Sequence, residues 1–453
     1  MFRKLKFDRA FYQSFFAVVV PITIQGLISA AVGVADTLML GFVSQTALAA
    51  SSLAGQVQYV LNMLFFGLNA GITILCAQYW GKKDMKSVEK VMAIGLKVSV
   101  AVAGIFFVGA VFFPQFVMRI YTNDPGMIAA GAEYLSIVGW SYLFMAITQP
   151  YLSAMKTVGQ VKASTVINST ALVLNIILNA VFIFGLFGAP ELGIAGVALA
   201  TVISRVVELI LCIVAGERFK ELKLRFGLLF LHSKVLFRDF IRYSLPAIGN
   251  DVAWGLAFSM YSVIMGHLGE DIVAANTVVS TMKNLASVVG FGVANGTAIL
   301  LGNTIGSGDM KRAEKDARRL LILAFLTGLI ASVLMLVSYP VVINVMELTP
   351  LATEYLFKMV LISAVYVIGP IMNTTWICGV FRAGGDSKFG LILDIVEMWG
   401  IFVPIGFIAA FLLKLPPMWV YFILCLDEFA KMPVVYIHYK KKGWLRNITK
   451  ENV

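Results

Sequence analysis

The chain has 453 residues, of which 59% are apolar and only 13% charged, against roughly 25% charged in an ordinary soluble domain. Twelve membrane helices of about 22 residues require about 264 residues. The composition therefore excludes a soluble globular protein and any disordered or fibrous chain. A net charge of +11 would suggest nucleic acid in a soluble protein; in a membrane chain its distribution among the loops matters more.

In chain order, apolar runs fall at roughly 12–42, 48–80, 91–117, 127–155, 163–188 and 193–216, then 238–268, 271–305, 318–344, 351–380, 388–413 and 416–438. They are continuous rather than alternating, which excludes a closed β-barrel. The basic stretch Met1–Arg9 leads into an apolar run reaching Gly41. That run is too long for a signal peptide, so it reads as the first span. Of the 36 lysines and arginines, 29 fall at the two termini and in the loops after even-numbered spans. Only Arg119 and Lys414 lie in the opposite loops, and five (Lys97, Arg205, Lys283, Lys358 and Lys431) lie within spans. The positive-inside rule then places both termini in the cytoplasm of a multi-pass protein. Short loops favour a bacterial cytoplasmic membrane.

The two halves match at a constant shift of 225 residues. Pro21 faces Pro246, Gly67 and Gly71 face Gly292 and Gly296, and Asp84-Met85-Lys86 recurs as Asp309-Met310-Lys311. Further on, Lys156–Gly159 faces Arg382–Gly385 at a shift of 226. Prolines, glycines and a charged loop held in one register mark a duplicated unit. Six spans per copy make both copies enter the membrane from the same side. The expected fold is an all-α integral membrane protein with twelve transmembrane helices. They form two six-helix bundles related by pseudo-two-fold symmetry along the membrane normal, V-shaped around a central cleft. Residues 1–216 form the N-terminal lobe, 217–235 an amphipathic cytoplasmic linker, and 236–453 the C-terminal lobe.

Asp36 is the sole acidic or basic residue between Arg9 and Lys82. An acid in that position costs on the order of 2.5–3.5 kcal/mol to insert, so it is expected to face water or a cation. Asn175 and Asn179 lie four apart on one face of span 5. Depth counted from the outer boundaries brings Asp36, Asn179 and Thr201 to one level. One carboxylate with amide and hydroxyl oxygens suits a hard cation such as Na+, held by Asp36, Asn175 and Asn179. The competing reading is that asparagines merely lock helix packing.

In the second half, Asp251 and Lys283 sit near mid-span, and an Asp–Lys pair would neutralise both; it reads either as structural or as a substrate or coupling element. Asp394 and Glu397 share a face of span 11 nearer the cytoplasm. Arg205 with Glu208, and Asp427 and Glu428 with Lys431, read as mutual neutralisation. Pro21 and Pro246 can kink spans 1 and 7. The paired glycines read as close-packing positions, and Asp84 and Asp309 as helix caps. The four cysteines lie in apolar stretches without a CxxC pair, and the three histidines are scattered. Neither a disulfide framework nor a zinc site is expected.

VADTLMLG around Asp36-Thr37, LNIILN over 174–179, GIAGVALAT over 193–201, LPAIGNDVAW over 245–254 and FRAGGD over 381–386 occur in order within this doubled unit. In that arrangement the chain resembles the multidrug and toxic compound extrusion (MATE) transporters over nearly its whole length. The resemblance implies secondary active efflux by alternating access, with cationic or amphiphilic organic compounds exchanged for Na+ or H+. It also implies an N-lobe cation cluster at Asp36, Asn175, Asn179 and Thr201, joined by Tyr142. An acid in span 7, as some branches have, matches Asp251, whereas the acid other branches place in span 10 is missing from Met359–Phe381. No cofactor beyond the coupling ion, no nucleic-acid partner and no enzymatic activity are expected, and the expected state is a monomer in the lipid bilayer. A flippase for a lipid-linked precursor is the alternative; it would need a cluster of cavity cations to hold pyrophosphate, where mid-span Lys283 stands alone. An enzyme or channel lacks HExxH, paired catalytic aspartates or a filter repeat.

Overall fold

The computed structural model describes residues 8–219, 222–223, 227, 231–345 and 348–451, and every regular element among them is helical. The first half contributes α1 (Arg9–Val43), α2 (Gln45–Gly81), α3 (Met85–Phe112), the short α4 (Pro114–Tyr121), α5 (Pro125–Thr157), α6 (Val161–Phe184) and α7 (Gly193–Arg218). The second contributes α8 (Lys234–Gly266), α9 (Glu270–Gly306), α10 (Met310–Val345), α11 (Pro350–Tyr366), α12 (Ile368–Thr374), α13 (Ser387–Asp394), α14 (Val403–Phe407), α15 (Pro417–Leu424) and α16 (Asp427–Lys440). π-helical turns at Thr375–Phe381, Ile395–Phe402 and Ile408–Leu412 extend α12, α13 and α14. Among the described residues, nine stretches of helix are long and apolar enough to cross a membrane. With α5, α8 and the α15–α16 pair in the remaining places of the repeat, the chain has twelve spans in two lobes.

Helix ends lie close to the ends of the apolar runs except where charged turns extend the helix. α10 begins at Met310 rather than near 318, because Lys311, Arg312 and Glu314 are good helix formers whatever the solvent. Its cap is Asp309, whose Oδ1 accepts the Arg312 amide at 2.9 Å. Asp84 does the same for α3, accepting the Ser87 amide at 3.1 Å. The duplication extends to backbone conformation. Lys83 (φ 63°) and Gly308 (φ 84°) turn left-handed just before the two caps, and Gly159 (φ 86°) and Gly385 (φ 77°) do so after the fourth span of each copy. The linker expected over 217–235 lies partly outside the described residues, as do Arg3, Lys4 and Lys6 at the N-terminus.

The chain divides into two compact units. One comprises Ile24–Trp80, Asp84–Ser244 and Glu451–Val453; the other comprises Met1–Thr23, Gly81–Lys83 and Leu245–Lys450. Both α1 and α8 change unit within two residues of their prolines, Pro21 and Pro246. A proline leaves the carbonyl one turn earlier without its amide partner, so each helix passes from one set of neighbours to the other at its weakest point. Small residues make the close contacts on either side of this exchange. In the first unit a side chain at Gly71 would collide with Ser244 of α8. In the second, side chains at Gly292 and Gly296 would collide with Thr23 and Val19 of α1. At the start of α1, Asp8 accepts the Phe11 amide (3.3 Å) and pairs with Arg319 (3.0 Å), whose guanidinium holds the Asp8 carboxyl below the usual carboxylate range.

The glycine pair of FRAGGD divides two tasks. Gly385 supplies the left-handed turn, while Gly384 lies against the backbone carbonyl of fully buried Trp444. Gly384→Ala is expected to lower stability by roughly 1–3 kcal/mol, the usual cost of overpacking a rigid contact. Thermal unfolding of the purified protein measures this, and an unchanged melting curve would show that the Trp444 backbone yields.

Candidate functional site

In the first unit, α1, α6 and α7 bring four polar side chains into one chain of hydrogen bonds. Asn179 Nδ2 donates to Asp36 Oδ1 at 2.6 Å and lies 3.4 Å from Asn175 Oδ1. Asn175 Nδ2 donates to Thr201 Oγ1 at 3.3 Å, and Thr201 Oγ1 donates to the Val197 carbonyl at 3.0 Å. The four-residue spacing of the asparagines aligns their amides along α6. Asn179 is fully buried and Asn175 nearly so, yet Asn179 Oδ1 has no hydrogen-bond partner among the described residues. Gln25, Asn69, Asn303 and Asn373 also hold buried amide oxygens without a donor among the described residues; Asn179 is the one of them joined to Asp36. The Asn179 oxygen and the Asp36 carboxylate are of the hard type that a cation such as Na+ takes, and the carboxylate alone could instead carry a proton. Among the described residues no cluster of three or more His, Cys, Asp or Glu side chains is arranged for a metal ion.

Tyr142 is fully buried on α5, and its hydroxyl makes no hydrogen bond among the described residues. The structure does not bring it into the Asp36 chain. The α5 tyrosine within electrostatic reach of Asp36 is instead Tyr134, eight residues earlier. Sequence reasoning passes over Tyr134, since nothing in its place on α5 marks it out from Tyr142.

The first unit also holds a second polar network around Glu208. This fully buried carboxylate accepts Asn168 Nδ2 (2.6 Å) and Thr148 Oγ1 (3.1 Å) and pairs with Arg205 (2.9 Å). Gln25 Nε2 in turn donates to Asn168 Oδ1 at 3.0 Å.

The second unit repeats this plan with other residue types. Asn250, Asn373 and Asp394 occupy the positions equivalent to Gln25, Thr148 and Asn168 at shifts of 225 or 226. Asn250 Nδ2 donates to Asp394 Oδ2 at 2.5 Å, and Asn373 Nδ2 donates to Glu428 Oε2 at 2.8 Å. The buried ammonium of Lys431 lies 3.1 Å from Asp394, 3.2 Å from Glu428 and 3.6 Å from Glu397. Asp394 and Glu397 thus share a face as expected, but face a lysine on α16 that the sequence assigns to neighbours on its own helix. Asp427 turns away to Tyr261, whose hydroxyl donates to it at 3.1 Å.

One expected pair does not form. Asp251 meets Arg382 at 2.7 Å rather than Lys283. Position in the sequence assigns Arg382 to the cytoplasmic loop. In the structure it follows the π-helical turn Thr375–Phe381, is buried, and also donates to Asn250 Oδ1 at 2.8 Å. The wider turn takes the chain out of α-helical register, so counting at 3.6 residues per turn misplaces the side chain. Lys283 sits over two tyrosine rings instead.

Twelve spans in a duplicated unit, with buried carboxylates held inside each copy, define a two-lobed membrane transporter. The MatE family model matches residues 21–181 and again 246–408, once in each copy, and the chain belongs to the MatE family. Members of this family are transporters and not enzymes. The uncharacterized transporter YisQ of Bacillus subtilis is 26% identical over 97% of this chain and 96% of its own length. The probable multidrug resistance protein NorM of Rhizobium meliloti is 28% identical over 85% of this chain and 83% of its own. A crystal structure of a MATE protein in the straight conformation shares the fold, with a TM-score of 0.85 at 17% identity over 95% of both chains.

Lys431 is the cation that pairs with Asp394, Glu397 and Glu428 among the described residues, and removing it leaves buried carboxylates uncompensated. Lys431→Met is therefore expected to cost about 3–5 kcal/mol, read as a lowered unfolding midpoint in a detergent titration. A midpoint equal to wild type would show that protons or water neutralise the acids without Lys431.

Proposed function

We propose that the chain is a secondary active multidrug exporter in which Asp36 couples outward movement of cationic or amphiphilic organic compounds to inward movement of Na+ or H+. The observation that carries this reading is the Asp36–Asn179–Asn175–Thr201 chain with its buried, unpartnered Asn179 oxygen. An acid in a span costs energy unless a cation or proton accompanies it. Binding and release of that ion therefore changes the relative stability of the conformations that hold Asp36 in different surroundings. An ion shifts such an equilibrium only by its differential affinity for the two states, and a carboxylate inside the apolar bundle provides a large difference. Relatives named as multidrug resistance proteins support the class of cargo. The concentration of 29 of 36 basic residues at the termini and even-to-odd loops supports cytoplasmic termini in a bacterial cytoplasmic membrane. The chain acts as a monomer in this reading.

Asp36→Asn keeps the hydrogen bond to Asn179 but cannot titrate or carry charge. The expected outcome is a folded, inserted protein whose drug export falls to the level of cells without it. Resistance at the wild-type level in that variant would remove Asp36 from coupling. The ion is identified by efflux from proteoliposomes under a sodium gradient alone and a proton gradient alone. One of the two is expected to drive export, and failure of both would end the antiport reading.

A further inference from the structure

The second unit contains a cavity of about 50 Å³ lined by, among others, Tyr261, Asn276, Ser280, Lys283, Tyr366 and Tyr421. Asn276, Ser280 and Lys283 are spaced four and three residues apart on α9, so they share one face of that helix. All three are partly exposed. The Lys283 ammonium lies 5.3 Å from the ring centroid of Tyr366 and 5.1 Å from that of Tyr421. Among the described residues it forms no ion pair. The acid within its electrostatic reach, Asp427, accepts its hydrogen bond from Tyr261. The other interior cations of this unit differ in this respect: Arg382 contacts Asp251, and Lys431 contacts three carboxylates.

The Lys283 ammonium also hydrogen-bonds the Tyr421 hydroxyl, and one neutral hydroxyl with two aromatic faces stabilises a buried ammonium only in part. An ammonium with no adjacent carboxylate, on a cavity wall beside an amide and a hydroxyl, is a group of donors without an anion. We propose that this cavity is a substrate subsite for a carboxylate. Exported compounds that carry one, as free acids or zwitterions, dock it on Lys283, with Asn276 and Ser280 as further donors and the tyrosine rings against the adjoining aromatic body. The volume suits one such group rather than a whole drug, so the subsite reads a functional group. The inference rests on the export reading for its biological meaning, and it names the functional group that this wall of the cavity reads. A charge-assisted contact in an apolar wall is the kind that discriminates strongly against an analogue lacking the charge.

The test uses the full chain in lipid nanodiscs and a matched pair of probes, a zwitterionic fluoroquinolone and its ethyl ester. The wild type is expected to bind the acid about tenfold or more tightly than the ester, the range a hydrogen bond to a charged group provides. Lys283→Gln is expected to abolish that preference while leaving ester affinity unchanged, and Lys283→Arg to retain part of it. Equal affinity of the wild type for acid and ester overturns the proposal without any variant. So does a preference that survives Lys283→Gln. Loss of both ligands in Lys283→Gln assigns the lysine to packing and also overturns it. Export of the ester by wild-type proteoliposomes is measured separately: its absence would end the export reading, while the binding preference would still decide the subsite.

Discussion

Inside a helix that crosses hydrocarbon, an ionised side chain has no bulk water to solvate it, so it must find a partner within the protein or carry a mobile ion. That constraint organises both lobes. Glu208 is closed by Arg205, Asn168 and Thr148, Asp251 by Arg382, and Asp394, Glu397 and Glu428 converge on Lys431. Against this background of paired charges, Asp36 and Lys283 stand apart. Among the described residues, Asp36 has an amide contact but no cation, and Lys283 has aromatic contacts but no adjacent anion. The helices are long and apolar enough to form from burial alone; the polar contacts determine which of them meet.

The two copies keep the same frame and differ in what it holds. At equivalent positions a glutamine becomes Asn250, a threonine Asn373 and an asparagine Asp394. Among the described residues, the first copy's network joins one acid to one arginine, whereas the second gathers Asp394, Glu397 and Glu428 around Lys431 with Arg382 alongside on Asp251 and Asn250. Duplication preserved backbone turns down to the left-handed residues before α3 and α10, because these set where helices begin. Interior charge changed more freely, since each alteration could be matched by a partner across the bundle. Among the described residues, the first lobe holds an acid without an ion pair, Asp36, and the second an ammonium without one, Lys283.

Much of this is legible in the sequence. Continuous apolar runs define spans because hydrocarbon admits nothing else, and proline and glycine register exposes the repeat. Asp36, Asn175, Asn179 and Thr201 can be brought together by depth and helical spacing, since α1, α6 and α7 are regular at those points. Arg382 cannot, because a π-helical turn precedes it and breaks the periodicity on which such counting depends. Lys431 is visible as an intramembrane cation, but its spacing to Glu428 suggests a local pair and hides its reach to Asp394 and Glu397 on another element. Tyr142 and Tyr134 show the same limit: an aromatic residue carries no signal of which neighbour its hydroxyl will find.

The exchange of neighbours at Pro21 and Pro246 bears on how the chain is made. When synthesis has completed only the first copy, the opening segment of α1 exists but α9, whose Gly292 and Gly296 receive Thr23 and Val19, does not. Likewise Gly71 of α2 waits for Ser244 of α8. Neither copy can reach its mature packing alone, so final assembly is post-insertional and a nascent half-transporter is left with open, glycine-lined seams.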